Sequence, residues 1–340
     1  MAPAKARAFG RRNLMHPILI SACAILAAMM ALAAKAPASG PAERRLTVDG
    51  LAVTYLRPEG SDRVPLAVII AGSGPTDRDG NSTQGLKTDA YKQLAAALSD
   101  LGIASVRYDK RGIGGSADLG KDERQLTIEH YAKDAQAIAA WARQLPNVGS
   151  IVLIGHSEGG VLALMAAKPA AAKAVVLLST PGRPLGQILR DQLARPALPA
   201  ELRAEALEII AALERGEEVK TVRTDLEPLF RPSVQPFMRS WIKTDPAQLL
   251  RGLDMPVLVI GGGRDIQVAR PDFDALLAAR ANVKSMWYPD MGHTLKPAGE
   301  DLQSQGRAYT DPTLALADGL ADEVARFIHE ASGGAPKAKK

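Results

Sequence analysis

The chain has 340 residues, 46% of them hydrophobic, which suits one large α/β domain with an insertion or two smaller domains. Its formal charge of +5 belongs to one end: residues 1–38 hold five of the 42 basic residues and no acid, and the other basic residues balance the 37 acidic ones. That distribution gives no basic face for nucleic acid, and the single cysteine, Cys23, excludes a disulfide framework, a cysteine nucleophile or a cysteine-based metal site in a chain that has lost its N-terminal segment.

Residues 1–38 read as a signal peptide. A basic stretch runs to Arg12, an apolar run covers 18–34, and Ala34-Lys35-Ala36 and Ala36-Pro37-Ala38 both resemble cleavage sites. Export to the periplasm or medium is expected, with no membrane span in the mature form. Left uncleaved, the run of about 17 residues would instead be an inner-membrane anchor. Cys23 follows Ile20-Ser21-Ala22 as in a lipoprotein box, but the apolar run continues past it, where a lipid-anchored chain turns polar.

Residues 46–57 alternate apolar and polar about Asp49-Gly50, the signature of a β-hairpin. A buried strand follows at 64–71 and ends in the polar, Gly-rich stretch 72–81. A helix over 91–101, a strand at 103–106 and a helix over 127–145 come next. Residues 151–154 form an apolar run suited to a strand buried on both faces, and a small-residue helix starts by Val161. After a strand at 174–178 the alternation stops. Residues 185–253 show helical periodicity, clearest over 201–215, and no buried strand. Strands resume at 256–260 and 283–288, and one amphipathic helix is expected over 313–331. Strands alternating with helices imply a mostly parallel, doubly wound sheet. The expected domains are a core over 45–184 and 254–332, a helical cap over 185–253, and a flexible basic tail over 333–340.

Between the central strand and its helix lies Gly155-His156-Ser157-Glu158-Gly159. Such a turn requires small flanking residues and lifts Ser157 above the C-terminal sheet edge, at a helix N-terminus whose dipole favours developing negative charge. A serine hydroxyl needs a base, and the base an orienting acid. The strand at 256–260 opens into Gly261-Gly262-Gly263-Arg264-Asp265, and the next into Pro289-Asp290-Met291-Gly292-His293. Asp265 and His293 thus follow Ser157 in the order acid, then histidine. Asp290 rivals Asp265, but three residues before His293 it is better placed to shape that loop. His130, His156 and His329 read as packed or solvated side chains. The oxyanion donors expected are the backbone N–H of Glu158 and that of Ser73 or Gly74, in the Gly72-Ser73-Gly74 turn. Asp77-Arg78-Asp79 either stiffens that loop through ion pairs or is a solvated turn.

The elbow, the acid and histidine loops, and Asp109-x-Arg111-Gly112-x-Gly114 together resemble the α/β-hydrolase superfamily over nearly the whole chain after the leader. The segment 72–81 is similar to the oxyanion loop of bacterial EstD-type carboxylesterases, a group beside serine aminopeptidase-like hydrolases. The resemblance implies an α/β-hydrolase fold and a carboxylic ester hydrolase with Ser157, Asp265 and His293 as its triad, no metal and no cofactor. The sequence departs from the superfamily in having Ala71-Gly72 where a His-Gly pair is common, which touches the second oxyanion donor.

The substrate expected is a small-molecule ester with a short- to medium-chain acyl group, and Phe230, Phe237 and Trp241 in the cap suggest an apolar lining. The same triad would serve a peptidase or an acyltransferase. An aminopeptidase needs acids for a free amine, and Glu214, Glu217 and Glu218 are in the cap, although a solvated helix end accounts for them. A binding module that had lost catalysis would lack a triad member, and none is missing. The acyl chain, the alcohol and the oligomeric state are not encoded in a readable pattern.

Overall fold

The Asp49-Gly50 hairpin pairs β1 (Arg44–Val48) with β2 (Leu51–Leu56) antiparallel, Val48 facing Leu51 across the turn. Both turn residues have positive φ, 48° and 83°, the backbone twist that a tight two-residue turn needs. The computed structural model describes residues 43–60, 62–194 and 199–334. The leader with Cys23 and the tail from residue 335 lie outside the described residues.

Strand β3 (Val64–Ile70) precedes α1 (Ala90–Asp100), β4 (Ala104–Tyr108), α2 (Ile128–Arg143) and β5 (Val148–His156). Then come α3 (Glu158–Ala166) and β6 (Ala174–Leu178). Among the described residues of the stretch without strands, five helices occur: α4 (Leu185–Leu193), α5 (Ala200–Glu214), α6 (Glu227–Phe230), α7 (Gln235–Ile242) and α8 (Pro246–Arg251). The alternation resumes with β7 (Val257–Gly262), α9 (Arg270–Ala279) and β8 (Lys284–Tyr288), and closes with α10 (Leu302–Thr310) and α11 (Leu320–Ala331).

The eight strands of the described residues form one sheet in the order β1-β2-β4-β3-β5-β6-β7-β8. From β4 to β8 every pair is parallel. Alternate residues of each strand serve opposite faces: Leu66, Val68 and Ile70 join one apolar cluster, and Ala67 and Ile69 the other. Helices α2, α3 and α9 pack on the first face and α1 and α11 on the second. Burial on both faces is why β3, β6, β7 and the 151–154 part of β5 are apolar runs. From β3 the chain passes outward to β4, then returns across β3 to β5. The order reverses at β3, and the crevice at such a reversal, beyond the C-terminal strand ends, is where open α/β sheets take ligands.

Two features differ from the sequence expectation. The helix expected over 313–331 begins at Leu320, because Asp311 accepts hydrogen bonds from the Thr313 N–H (2.9 Å) and hydroxyl, and Gly319 enters the left-handed region at φ 73°. Helix α10 was not expected at all. Its sequence is mostly polar, and Leu302 is 91% exposed, so no apolar stripe announces it. Its signal is local: the Asp301 carboxylate caps the Ser304 N–H at 2.8 Å.

Candidate active site

Strand β5 ends at His156 and α3 begins at Glu158, so the whole reversal falls on Ser157. Its φ of 52° and ψ of −124° are strained for a residue with a side chain, at about 1–3 kcal/mol. The Ser157 N–H, bonded to the Leu178 carbonyl at 2.9 Å, helps hold it there. The flanking glycines are required by close approach. A Cβ on Gly155 would lie 2.1 Å from the Gly159 carbonyl oxygen, and one on Gly159 would lie 2.2 Å from that of Ile70. The elbow is thus pressed against the end of β3, where the Gly-rich loop 72–81 begins.

The loops after β7 and β8 bring Asp265 and His293 together. His293 Nδ1 is 2.8 Å from Asp265 Oδ2 and 3.0 Å from Oδ1. Asp265 Oδ1 also accepts from the N–H groups of Gln267 (2.7 Å) and Val268 (2.9 Å). Burial pushes this carboxyl up, but His293 and those two amides outweigh it, and its pKa falls below the ordinary value. Asp265 therefore stays ionised and, as an acceptor only, takes the hydrogen bond from the Nδ1–H of His293, which turns Nε2 away from it. Asp290 is 82% exposed and lies 3.8 Å from Arg264, which leaves Asp265 as the carboxylate bonded to His293.

His156 was read from sequence as an ordinary packed or solvated side chain, and Tyr91 only as the start of a helix. The structure puts both in one buried chain. The Gly72 N–H donates to the Tyr91 hydroxyl oxygen at 3.0 Å, and that hydroxyl is 2.7 Å from His156 Nδ1. His156 Nε2 is 2.7 Å from the His293 carbonyl, and the two imidazole centroids are 4.8 Å apart. A carbonyl only accepts, so Nε2 carries the proton and Tyr91 donates to Nδ1. Burial foremost, then the nearby His293, lowers the His156 pKa from 6.5 to about 3. Burial also raises that of Tyr91, which keeps its proton. Neutral His156 thereby ties the β3 loop to the His293 loop. No sequence motif signals it, since Tyr91 and His156 are 65 residues apart.

The Asp77-Arg78-Asp79 segment is pinned. Asp109, from the loop after β4, accepts from the Arg78 N–H (2.8 Å), the Arg78 guanidinium (2.9 Å) and the Gly115 N–H (2.8 Å). Asp79 pairs with buried Arg107 at 2.8 Å. Ser73 is the second residue of the loop these contacts hold.

Ser73, Ser157 and Glu158 lie in the wall of a cavity of about 360 Å³, completed by cap residues. Leu185, Ile188, Leu189, Met238 and Trp241 make that side apolar. Phe237 lines it too, whereas Phe230 is wholly buried in the core. A smaller cavity of about 190 Å³ adjoins it, lined by Lys110, Glu123, Tyr131 and Arg231. The cap acids point elsewhere: Glu214 pairs with Arg190 and Glu217 with Arg215. A larger, more open depression of about 650 Å³ lies at the opposite sheet edge, near Val64, Gly102 and Gly149, away from these groups.

A mostly parallel sheet with a strained serine at a strand-to-helix turn, and an acid–histidine pair in the loops of later strands, defines an α/β-hydrolase. The chain belongs to the serine aminopeptidase, S33 family, whose sequence profile matches residues 85–326. It is EstD-like: over 305 residues it is 30% identical to the esterase EstD of Thermotoga maritima, covering 84% of this chain and 67% of that protein. Among solved structures, the α/β hydrolase GrgF from Penicillium superposes with a TM-score of 0.55 at 18% identity, covering 86% of this chain and 99% of that one. The ferulic acid complex of Est1E from Butyrivibrio proteoclasticus gives 0.52 at 19%, covering 84% and 96%. Proline iminopeptidase from Mycobacterium smegmatis gives 0.53 at 18%, covering 86% and 99%. At these identities the likeness is one of fold.

Proposed function

We propose that the protein hydrolyses carboxylic esters of short- to medium-chain acids through an acyl-enzyme on Ser157. The observation that carries the reading is the His293–Asp265 pair, packed against His156, the chain neighbour of a strained serine that lines a mostly apolar cavity. Ser157 Oγ attacks the ester carbonyl and its proton passes to His293 Nε2. Asp265 holds the imidazole and balances its charge. The N–H groups of Glu158, at the open end of α3, and of Ser73 receive the oxyanion. The intermediate collapses, the acyl C–O bond to the alcohol breaks, and His293 gives its proton to the leaving oxygen. Water then gives a proton to His293, attacks the acyl carbonyl and releases the acid, and the proton returns to Ser157.

The similarity to EstD supports an ester substrate. The family's name raises an aminopeptidase, but such an enzyme needs a carboxylate for the substrate amine. Among the described residues the carboxylate lining the 360 Å³ cavity is Glu158, already paired with Lys110 at 2.7 Å. Hydrolysis of p-nitrophenyl esters from acetate to palmitate by the full chain and its Ser157→Ala variant tests the reading. Activity greatest on the shorter esters and lost in the variant is expected. An inert wild type that cleaves aminoacyl amides would replace esterase by peptidase, and acyl transfer to an added alcohol in preference to water would replace it by acyltransferase.

Export is also proposed, from the sequence of residues 1–38. Fractionation of expressing bacterial cells should find the protein in the periplasm or medium with a shortened N-terminus, and a full-length cytosolic protein would overturn it.

A further inference from the structure

Lys110 follows β4 and takes no part in the reaction proposed above, yet its side chain is only 4% exposed. Its ammonium lies 2.6 Å from the Gly72 carbonyl oxygen and 2.7 Å from Glu158 Oε1. Glu158 is itself 2% exposed. Burying such a pair takes two charges out of water, and a packed apolar pair is often at least as stable. Stability alone is therefore a poor account of this pair, and what it touches offers a better one.

One of its contacts ends on a peptide assigned to the oxyanion, and the other on the side chain of the residue whose N–H is the second donor. The Gly72 carbonyl belongs to the same peptide group as the Ser73 N–H. That group is planar and trans, so a ligand holding the oxygen on one side holds the N–H on the other. The preceding peptide is fixed as well, through the Gly72 N–H and Tyr91. Gly72 also lies against the nucleophile: a Cβ built on it would be 3.3 Å from Ser157 Cβ. A cation on the carbonyl further polarises the peptide and strengthens its N–H as a donor. Glu158 supplies the second N–H, and its carboxylate is held by the same ammonium.

We propose that Lys110 is a positioning group that aims and polarises the Gly72–Ser73 oxyanion peptide and, by holding the Glu158 carboxylate, anchors the residue that supplies the second amide. It touches no reacting atom and acts through the Gly72–Ser73 peptide and through Glu158. The inference rests on the ester-hydrolase reading and deepens it.

The test uses Lys110→Met, the double variant Lys110→Met/Glu158→Met, which leaves no unpaired buried charge, and Glu158→Gln, which keeps a neutral hydrogen-bonding partner for Lys110. The readouts are kcat and KM on p-nitrophenyl butyrate and inhibition by an aliphatic trifluoromethyl ketone, which adds to serine to form an oxyanion. Removing a donor outright costs about 10²–10³ in kcat, so misaiming one should cost about 10- to 100-fold. The expected result in the double variant is that loss in kcat, with KM within about threefold and the trifluoromethyl ketone weakened by the same factor as kcat/KM. Glu158→Gln should lose less. A purely structural pair would change the melting temperature and leave the kcat of the folded enzyme and the inhibitor affinity alone, and that result overturns the proposal. If only Glu158→Gln folds, wild-type kcat and inhibitor affinity in that variant do the same. An inert wild type, unreactive also towards a fluorophosphonate, would instead overturn the hydrolase reading beneath it.

Discussion

Replacing His156 by Gln should change how stability depends on pH. The amide of Gln offers a donor for the His293 carbonyl and an acceptor for the Tyr91 hydroxyl, the two bonds that His156 makes, but does not titrate. In the folded wild type the His156 pKa is about 3, against 6.5 for a free imidazole. Between those values the unfolded chain binds a proton that the folded chain refuses, so stability rises with pH across the window and is lost on acidification. At pH 5 an unfolded-state pKa of 6.5 gives a loss of about 2 kcal/mol, and little of it is already present at pH 7. Any folded-state value below about 4 gives nearly the same figure, because the folded imidazole is then neutral at pH 5. Urea unfolding of both proteins at pH 7 and pH 5 measures it. Wild type should lose about 2 kcal/mol more than His156→Gln between the two pH values. Equal losses would mean that His156 accepts its proton while folded, and the Tyr91–His156–His293 chain would not be the neutral clamp described.

Asp265→Asn should leave KM within a few-fold and lower kcat by about ten-thousand-fold, since an amide no longer holds the proton on Nδ1; steady-state ester hydrolysis reads this directly. Gly159→Ala places a Cβ 2.2 Å from the Ile70 carbonyl oxygen and 2.6 Å from that of Ala71, so it should destabilise the fold by at least about 3 kcal/mol and abolish labelling by a fluorophosphonate. Leu189→Trp fills the apolar side of the cavity, and each excluded methylene is worth about 1–3 kcal/mol of discrimination. The variant should therefore lose at least tenfold in kcat/KM on octanoate while acetate changes little, which a p-nitrophenyl ester series resolves.

What was legible in the sequence, and what was not, divides along one physical line. Ile151 to Ile154 could be read as a strand because it is buried on both faces, and such burial demands an unbroken apolar run. Gly155 and Gly159 could be read because the backbone passes too close there for a side chain. Each constraint leaves its mark on a short run of residues, wherever in the chain the packing partner lies. Helix α10 carries no such constraint on its mostly polar surface, and only its Asp301 cap marks it. The same division separates the two histidines beside the elbow. His293 follows the edge strand β8 and could be singled out by its place in chain order. His156 could not, because its character comes from partners 65 and 137 residues away. Two imidazoles with centroids 4.8 Å apart are set to opposite tasks by those partners alone. His293 Nδ1 meets a carboxylate, which supports a positive charge. His156 meets a hydroxyl and a carbonyl in a buried site, which support only the neutral ring. A second cation beside His293 would oppose its protonation by direct repulsion. Keeping His156 neutral therefore fixes the position of the His293 backbone without setting a charge against the one that the proposed mechanism gives His293.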